Sequence, residues 1–134
     1  FERALALEPR MTAAAINLSN VYSATGRTDE AEQVLSQAIT NNGNDARAHN
    51  NLGTLLSIDG KWNAAMYEFQ KAVALDPNMA SAHYGLGTVL MNTKSYLPAA
   101  KEFKQALTLN PALVDAQTKI EEAYRRAGMT ASIN

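Results

Sequence analysis

His49 and His83 are the only histidines in the sequence, and they are the first residues to weigh for chemistry. A shared metal would need both imidazoles within about 2 Å of one ion. They stand 34 positions apart, at equivalent places in stretches that otherwise repeat. No third ligand is apparent and no HExxH spacing occurs. Both are therefore expected to be half-buried packing residues. Gly85-Leu86-Gly87 has the glycine content of a nucleotide loop, but it lacks the third glycine and follows no strand. Glu121 and Glu122 are adjacent carboxylates, and neighbours on a helix point in different directions, so they read as a solvated face. Asn17-Leu18-Ser19 matches a glycosylation acceptor, but it sits mid-helix beside an apolar position. The absence of cysteine excludes disulfides and thiolate metal sites. No nucleophile–base constellation is visible. The sequence predicts a protein that is not an enzyme and that uses no metal or cofactor.

The elements that must position these residues are helices. Ala46 to Met79 contains two amphipathic stretches joined at Asp59-Gly60-Lys61 and closed by Asp76-Pro77-Asn78. The pattern recurs upstream and downstream with a period of 34 residues. This predicts a second-helix tail of a truncated repeat over 1–11, and repeats over 12–45, 46–79 and 80–113. A capping helix over 114–128 and a tail over 129–134 follow. Pro9, Pro77 and Pro111 should each stop a helix, because proline lacks an amide hydrogen and clashes with the preceding turn. Gly43 takes that place in Asn41-Asn42-Gly43-Asn44, where left-handed backbone angles are expected to be tolerated. Gly26 should end a helix, with Thr28 as N-cap of the next, and Ser95 should cap its counterpart. Leu18, Val21 and Tyr22 are expected to form an apolar stripe. The last helix carries Ala116, Ile120, Ala123, Tyr124 and Ala127 on one face and charges elsewhere, as a terminal repeat needs for solubility. The chain opens inside a repeat, which points to a piece of a longer protein. An uncovered apolar surface at that end is expected to favour self-association.

Composition narrows the partner. Of 134 residues, 46% are hydrophobic and 19% charged, which suits a folded chain. Twelve basic residues against 13 acidic ones give a net charge of -1, so a general nucleic-acid binder is not expected. No apolar run approaches the ~20 residues that span a bilayer.

Aligned by the period, the chain shows columns with separate packing duties. Leu18, Leu52, Leu86 and Ile120 should fill the space between paired helices. Ser19, Gly53 and Gly87 are small, as are Ala31, Ala65 and Ala99 opposite them, and Ala4, Ala38, Ala72 and Ala106. Phe1, Leu35, Phe69 and Phe103 are the large knobs between repeats. Small facing small, with large residues filling the gaps, is how interiors reach close packing.

These columns resemble the tetratricopeptide repeat family, whose period is 34 residues. The matching residues include Leu52-Gly53, Ala65, Phe69, Ala72 and Pro77, with equivalents one repeat on. Pentatricopeptide arrays, which read RNA, fit the small-residue columns less well. Departures are His49 and His83 where the family often has tryptophan, Trp62 where it often has tyrosine, and Glu121 in the small column. The resemblance implies an all-α, right-handed superhelical solenoid of antiparallel helix pairs. It also implies a noncatalytic scaffold whose first helices line a concave groove for an extended peptide or partner protein. Binding residues would then be Asn17, Asn20, Arg47, Asn50, Asn51, Thr54, Tyr84, Thr88 and Lys119, with Ile16 among the groove columns. Asparagine offers both a donor and an acceptor to a peptide backbone. The asparagine column at Asn17 and Asn51 breaks at Gly85 and Lys119, and the basic clamp that one branch of the family uses for a C-terminal carboxylate is incomplete. The alternative is an assembly module that uses the N-terminal end or the convex face.

Overall fold

In the computed structural model, the backbone is described for residues 2–129 and the side chains from Arg10 to Met129. Seven helices follow one another among the described residues: α1 (Glu2–Ala24), α2 (Thr28–Asn41), α3 (Ala46–Ile58), α4 (Trp62–Leu75), α5 (Ala80–Asn92), α6 (Tyr96–Leu109) and α7 (Val114–Arg126). Among the described residues there is no strand. Consecutive helices pack on each other throughout. In addition α1 touches α3 and α3 touches α5, whereas α2, α4 and α6 make no contacts of that extent among themselves. The layer whose members touch is the shorter arc, so α1, α3 and α5 form the inner, concave side of a right-handed superhelical solenoid.

Two kinds of turn alternate, and their residues recur with the period. Within a pair, the chain reverses through a left-handed residue, Gly26 (φ 79°), Gly60 (φ 73°) or Lys94 (φ 65°), and Gly128 (φ 85°) takes the same conformation after α7. Each closes a helix with the same two bonds, as when Gly60 N–H donates to Ser57 O (3.0 Å) and Lys61 N–H to Leu56 O (2.9 Å). Between pairs, the side chain of Asn42, Asp76 or Asn110 accepts from the amide two residues on, at 3.3, 3.1 and 3.2 Å. These turns contain no left-handed residue, so Gly43 does not use the freedom expected of it.

Lys94 is the one described non-glycine residue in the left-handed region. That conformation costs an L-residue about 1–2 kcal/mol. Lys94→Gly is expected to raise stability by about 1 kcal/mol, part of the relief being lost to glycine's extra freedom in the unfolded chain. A thermal melt should move up by a few degrees, and a lower midpoint would contradict the assigned turn.

The start of the chain differs from expectation. α1 runs on through Pro9 instead of ending there, so Pro9 does not stop a helix. The turns at Asn42, Asp76 and Asn110 are each held by a short carboxyl or amide side chain, and Glu8 stands in that column. Its extra methylene does not suit the two-residue loop back to the backbone. A second difference follows. Leu18 is 43% exposed, whereas Leu52, Leu86 and Ile120 are at 6%, 8% and 4%. Val21 is also exposed and Tyr22 only half-buried, while Thr12, Ile16 and Ser19 face inward. The N-cap of α2 is Arg27, with Thr28 already helical, and Ser95 caps α6 without a side-chain bond.

The knobs hold the array together. Phe69 and Phe103 are buried against glycines: a Cβ built on Gly53 would lie 2.9 Å from the Phe69 ring, and one on Gly87 2.9 Å from the Phe103 ring. Leu35 and the alanines of both small columns are buried as well. Phe1 and Ala4 lie outside the described side chains. α7 packs on α6, buries Ala116, Ile120 and Ala123, and leaves Asp115, Glu121, Arg125 and Arg126 exposed.

Candidate functional site

The inner face is built from the first helices, and its polar residues tie neighbours together. Asn50 on α3 donates from Nδ2 to Ser81 Oγ on α5 (3.3 Å). Tyr84 on α5 donates its hydroxyl to Asp115 Oδ2 on α7 (2.7 Å). Both links join residues 31 apart, one turn short of the repeat. Burial, then the Asp115 bond and charge, pushes the Tyr84 hydroxyl up to about 12, so it remains a donor at neutral pH. The ring stands edge-on to Phe103, 5.3 Å between centroids at 71°.

Two clefts open between neighbouring first helices. The larger, about 500 Å³, lies between α3 and α5. Phe69 forms its floor, Ile58 and Leu113 contribute apolar walls, and Thr54, Ser81, Tyr84 and Thr88 supply hydroxyls. None of its lining side chains is charged. Thr54 donates to Asn50 O (3.0 Å) and Thr88 to Tyr84 O (3.1 Å), so each hydroxyl faces the cleft as an acceptor. The smaller cleft, about 200 Å³ between α5 and α7, is charged, with Lys119, Glu122 and Arg126 around Phe103.

The residues selected from the sequence are thus divided. Thr54, Tyr84 and Thr88 meet in the larger cleft, and Thr88 and Lys119 in the smaller. Asn17, Asn20, Arg47, Asn50 and Asn51 line neither. Asn17 and Asn20 are exposed on α1, and Asn51 is half-buried on α3. Asn50 has its side-chain oxygen buried with no donor. Arg47 is engaged within its own helix start: its guanidinium clasps Asp45, the N-cap of α3, at 2.8 and 3.1 Å. That contact holds the Asp45 carboxyl below the usual range. Ile16, placed with the groove columns, belongs to the core.

Gly85 accounts for the broken asparagine column. A Cβ there would lie 2.4 Å from the Phe69 ring, so no side chain fits while phenylalanine is the knob. Phe69 was read from the sequence as a packing knob and not as part of the site, whereas Ser81 and Asp115 stand in the groove column of Arg47 without having been selected as binding residues.

The histidines are more buried than expected. His49 Nε2 donates to Gly43 O (2.9 Å), and Nδ1 pairs with Glu68 Oε1 (2.7 Å). His83 repeats this with Pro77 O (2.8 Å) and Glu102 Oε1 (2.8 Å). Each ring therefore ties a first helix to its second helix and to the turn before it. Among the described residues, one group of carboxylates is close enough to hold a metal: Asp29, Glu32 and Asp59. Lys61 already supplies a cation there, 3.2 Å from Glu32 and 3.8 Å from Asp59. Burial, followed by the Asp59 contact, raises the Glu32 carboxyl. No helix among the described residues is long and apolar enough to cross a membrane.

Comparison with known proteins adds three family-model matches. Models described as Tetratricopeptide repeat match residues 1–54 and 80–113, and one described as TPR repeat matches 58–94. No curated protein matches the sequence. Among solved structures, the crystal structure of MamA is 23% identical with a TM-score of 0.84, over 96% of this chain and 75% of that one. The first TPR domain of Spaghetti (RPAP3), bound to an HSP90 peptide, is 18% identical with a TM-score of 0.86, over 89% and 94%. The Arabidopsis OM64 TPR domain is 20% identical with a TM-score of 0.84, over 88% and 98%. At these identities the likeness is one of fold.

Proposed function

The chain belongs to the tetratricopeptide repeat family, and from that premise we propose that it is a noncatalytic scaffold holding an extended segment of a partner protein along its inner face. The observation that carries this reading is the uncharged cleft between α3 and α5. A partner's apolar side chain would rest over Phe69, and its backbone amides would donate to the Thr54 and Thr88 hydroxyls. Tyr84 forms a rigid wall that loses little entropy on binding. Asn17, Asn20 and Asn51, on the same inner helices, would continue the backbone contacts beyond the cleft, with Lys119 meeting an acidic side chain, while Arg47 is already paired with Asp45. The peptide bound to the RPAP3 domain supports this use of the fold. Both histidines are engaged in structural bonds, which supports a noncatalytic role.

A neutral hydrogen bond is worth about 0.5–1.5 kcal/mol, so several must act together. The test is a titration of a partner segment, isolated by affinity selection from a peptide library, against Asn51→Ala, Tyr84→Ala and the double variant. Tyr84→Ala should weaken binding about tenfold, which corresponds to ~1.4 kcal/mol. The double variant should weaken it further while the circular dichroism spectrum keeps its helical form. Undiminished affinity in a folded double variant would move the binding surface off the inner face.

A further inference from the structure

A second apolar groove, of about 770 Å³, lies at the start of the array between α1 and α2. Met11, Ala14, Ala15 and Leu18 line it from α1, and Val34 and Ala38 from α2, with no charged side chain in its wall. At the equivalent place in later repeats, the preceding second helix packs on the first: α2 on α3, α4 on α5, α6 on α7. That cover is what buries Leu52, Leu86 and Ile120 and leaves Leu18 open.

The sequence carries the matching cover. Phe1 and Ala4 occupy the columns of Leu35 and Ala38, Phe69 and Ala72, and Phe103 and Ala106. Residues 2–8, however, continue α1 as one helix and so do not turn back over their own groove. We propose that this segment of one copy lies in the groove of a second copy, and reciprocally, making an exchanged dimer about a two-fold axis near Pro9. In an antiparallel helix pair the numbers of facing residues have a constant sum. Straightening the hinge in both copies therefore preserves which residues face each other and changes only which chain supplies them. Exchange of an identical element is a low-cost route to a symmetric dimer.

Sedimentation of the 134-residue chain over a wide concentration range is expected to show a species of twice 14.5 kDa that dissociates on dilution. Leu18→Glu, at a position already 43% exposed, should abolish it without unfolding the chain. Two glycines inserted after Pro9 would let the segment fold back onto its own groove, and should give a monomer at every concentration. Deleting residues 1–8 should also give a monomer. If the groove were instead an unspecific apolar surface, that deletion would leave association as strong or stronger. A chain that stays monomeric throughout, or a deletion variant as dimeric as the parent, overturns the exchange.

Discussion

Phe69→Ala is expected to destabilise the array by about 3–5 kcal/mol, one of the largest effects of any single truncation among the described residues. The ring is 1% exposed and serves two repeats at once. It packs over Gly53 of its own repeat and Gly85 of the next, with either glycine too close to admit a Cβ. Truncation would therefore leave a void bounded on two sides by bare backbone. Because a solenoid is stabilised through nearest-neighbour interfaces, the damage should also show in cooperativity. Denaturation by urea, followed by circular dichroism, should give a lower midpoint and a shallower or split transition. The same substitution removes the floor of the uncharged cleft, so peptide affinity should fall with it. A loss below about 1 kcal/mol would be inconsistent with a knob shared by two repeats.

Gly87→Leu should cost about 1–3 kcal/mol or more, by the opposite mechanism of overpacking. Its Cβ alone would stand 2.9 Å from the Phe103 ring, and the remaining side chain would have to occupy the ring's place. Phe103 cannot yield easily, since it is fully buried and set edge-on to Tyr84. Combining Gly87→Leu with Phe103→Ala should recover part of the loss. The two residues are in contact, and contacting pairs typically couple by about 0.5–3 kcal/mol. An unchanged melting temperature for Gly87→Leu would show that the small column does not lie at this helix crossing. Strict additivity in the double variant would show that the leucine disturbs something other than the phenylalanine.

What was legible in the sequence was what depends on linear periodicity. A spacing of 34 aligned the knobs and the small residues, and it did so correctly for Leu35, Phe69 and Phe103 and for Ala31, Ala65 and Ala99. Such columns are readable because each repeat meets its neighbour through the same few residues. The buried face of α7 was readable for a related reason: Ala116, Ile120 and Ala123 recur at helical spacing.

Only the tertiary structure decided the rest, because it depends on how helices stagger and on which neighbour is present. The bond from Tyr84 to Asp115 crosses between repeats at a spacing of 31, and no pattern within one helix specifies it. Gly85 looked like a gap in a binding column and proved to be clearance for the Phe69 ring. Ile16 shares a column with Asn50 and Tyr84 yet is buried, and Arg47 is clasped by the Asp45 carboxylate beside it. Leu18 shares a column with Leu52 and Leu86 yet is exposed, since burial requires a covering helix as well as an apolar side chain. The sequence placed a helix end at Pro9, but α1 passes through it. A residue type states what a side chain can do, and the arrangement of neighbours determines whether its partner is solvent, its own chain or another molecule.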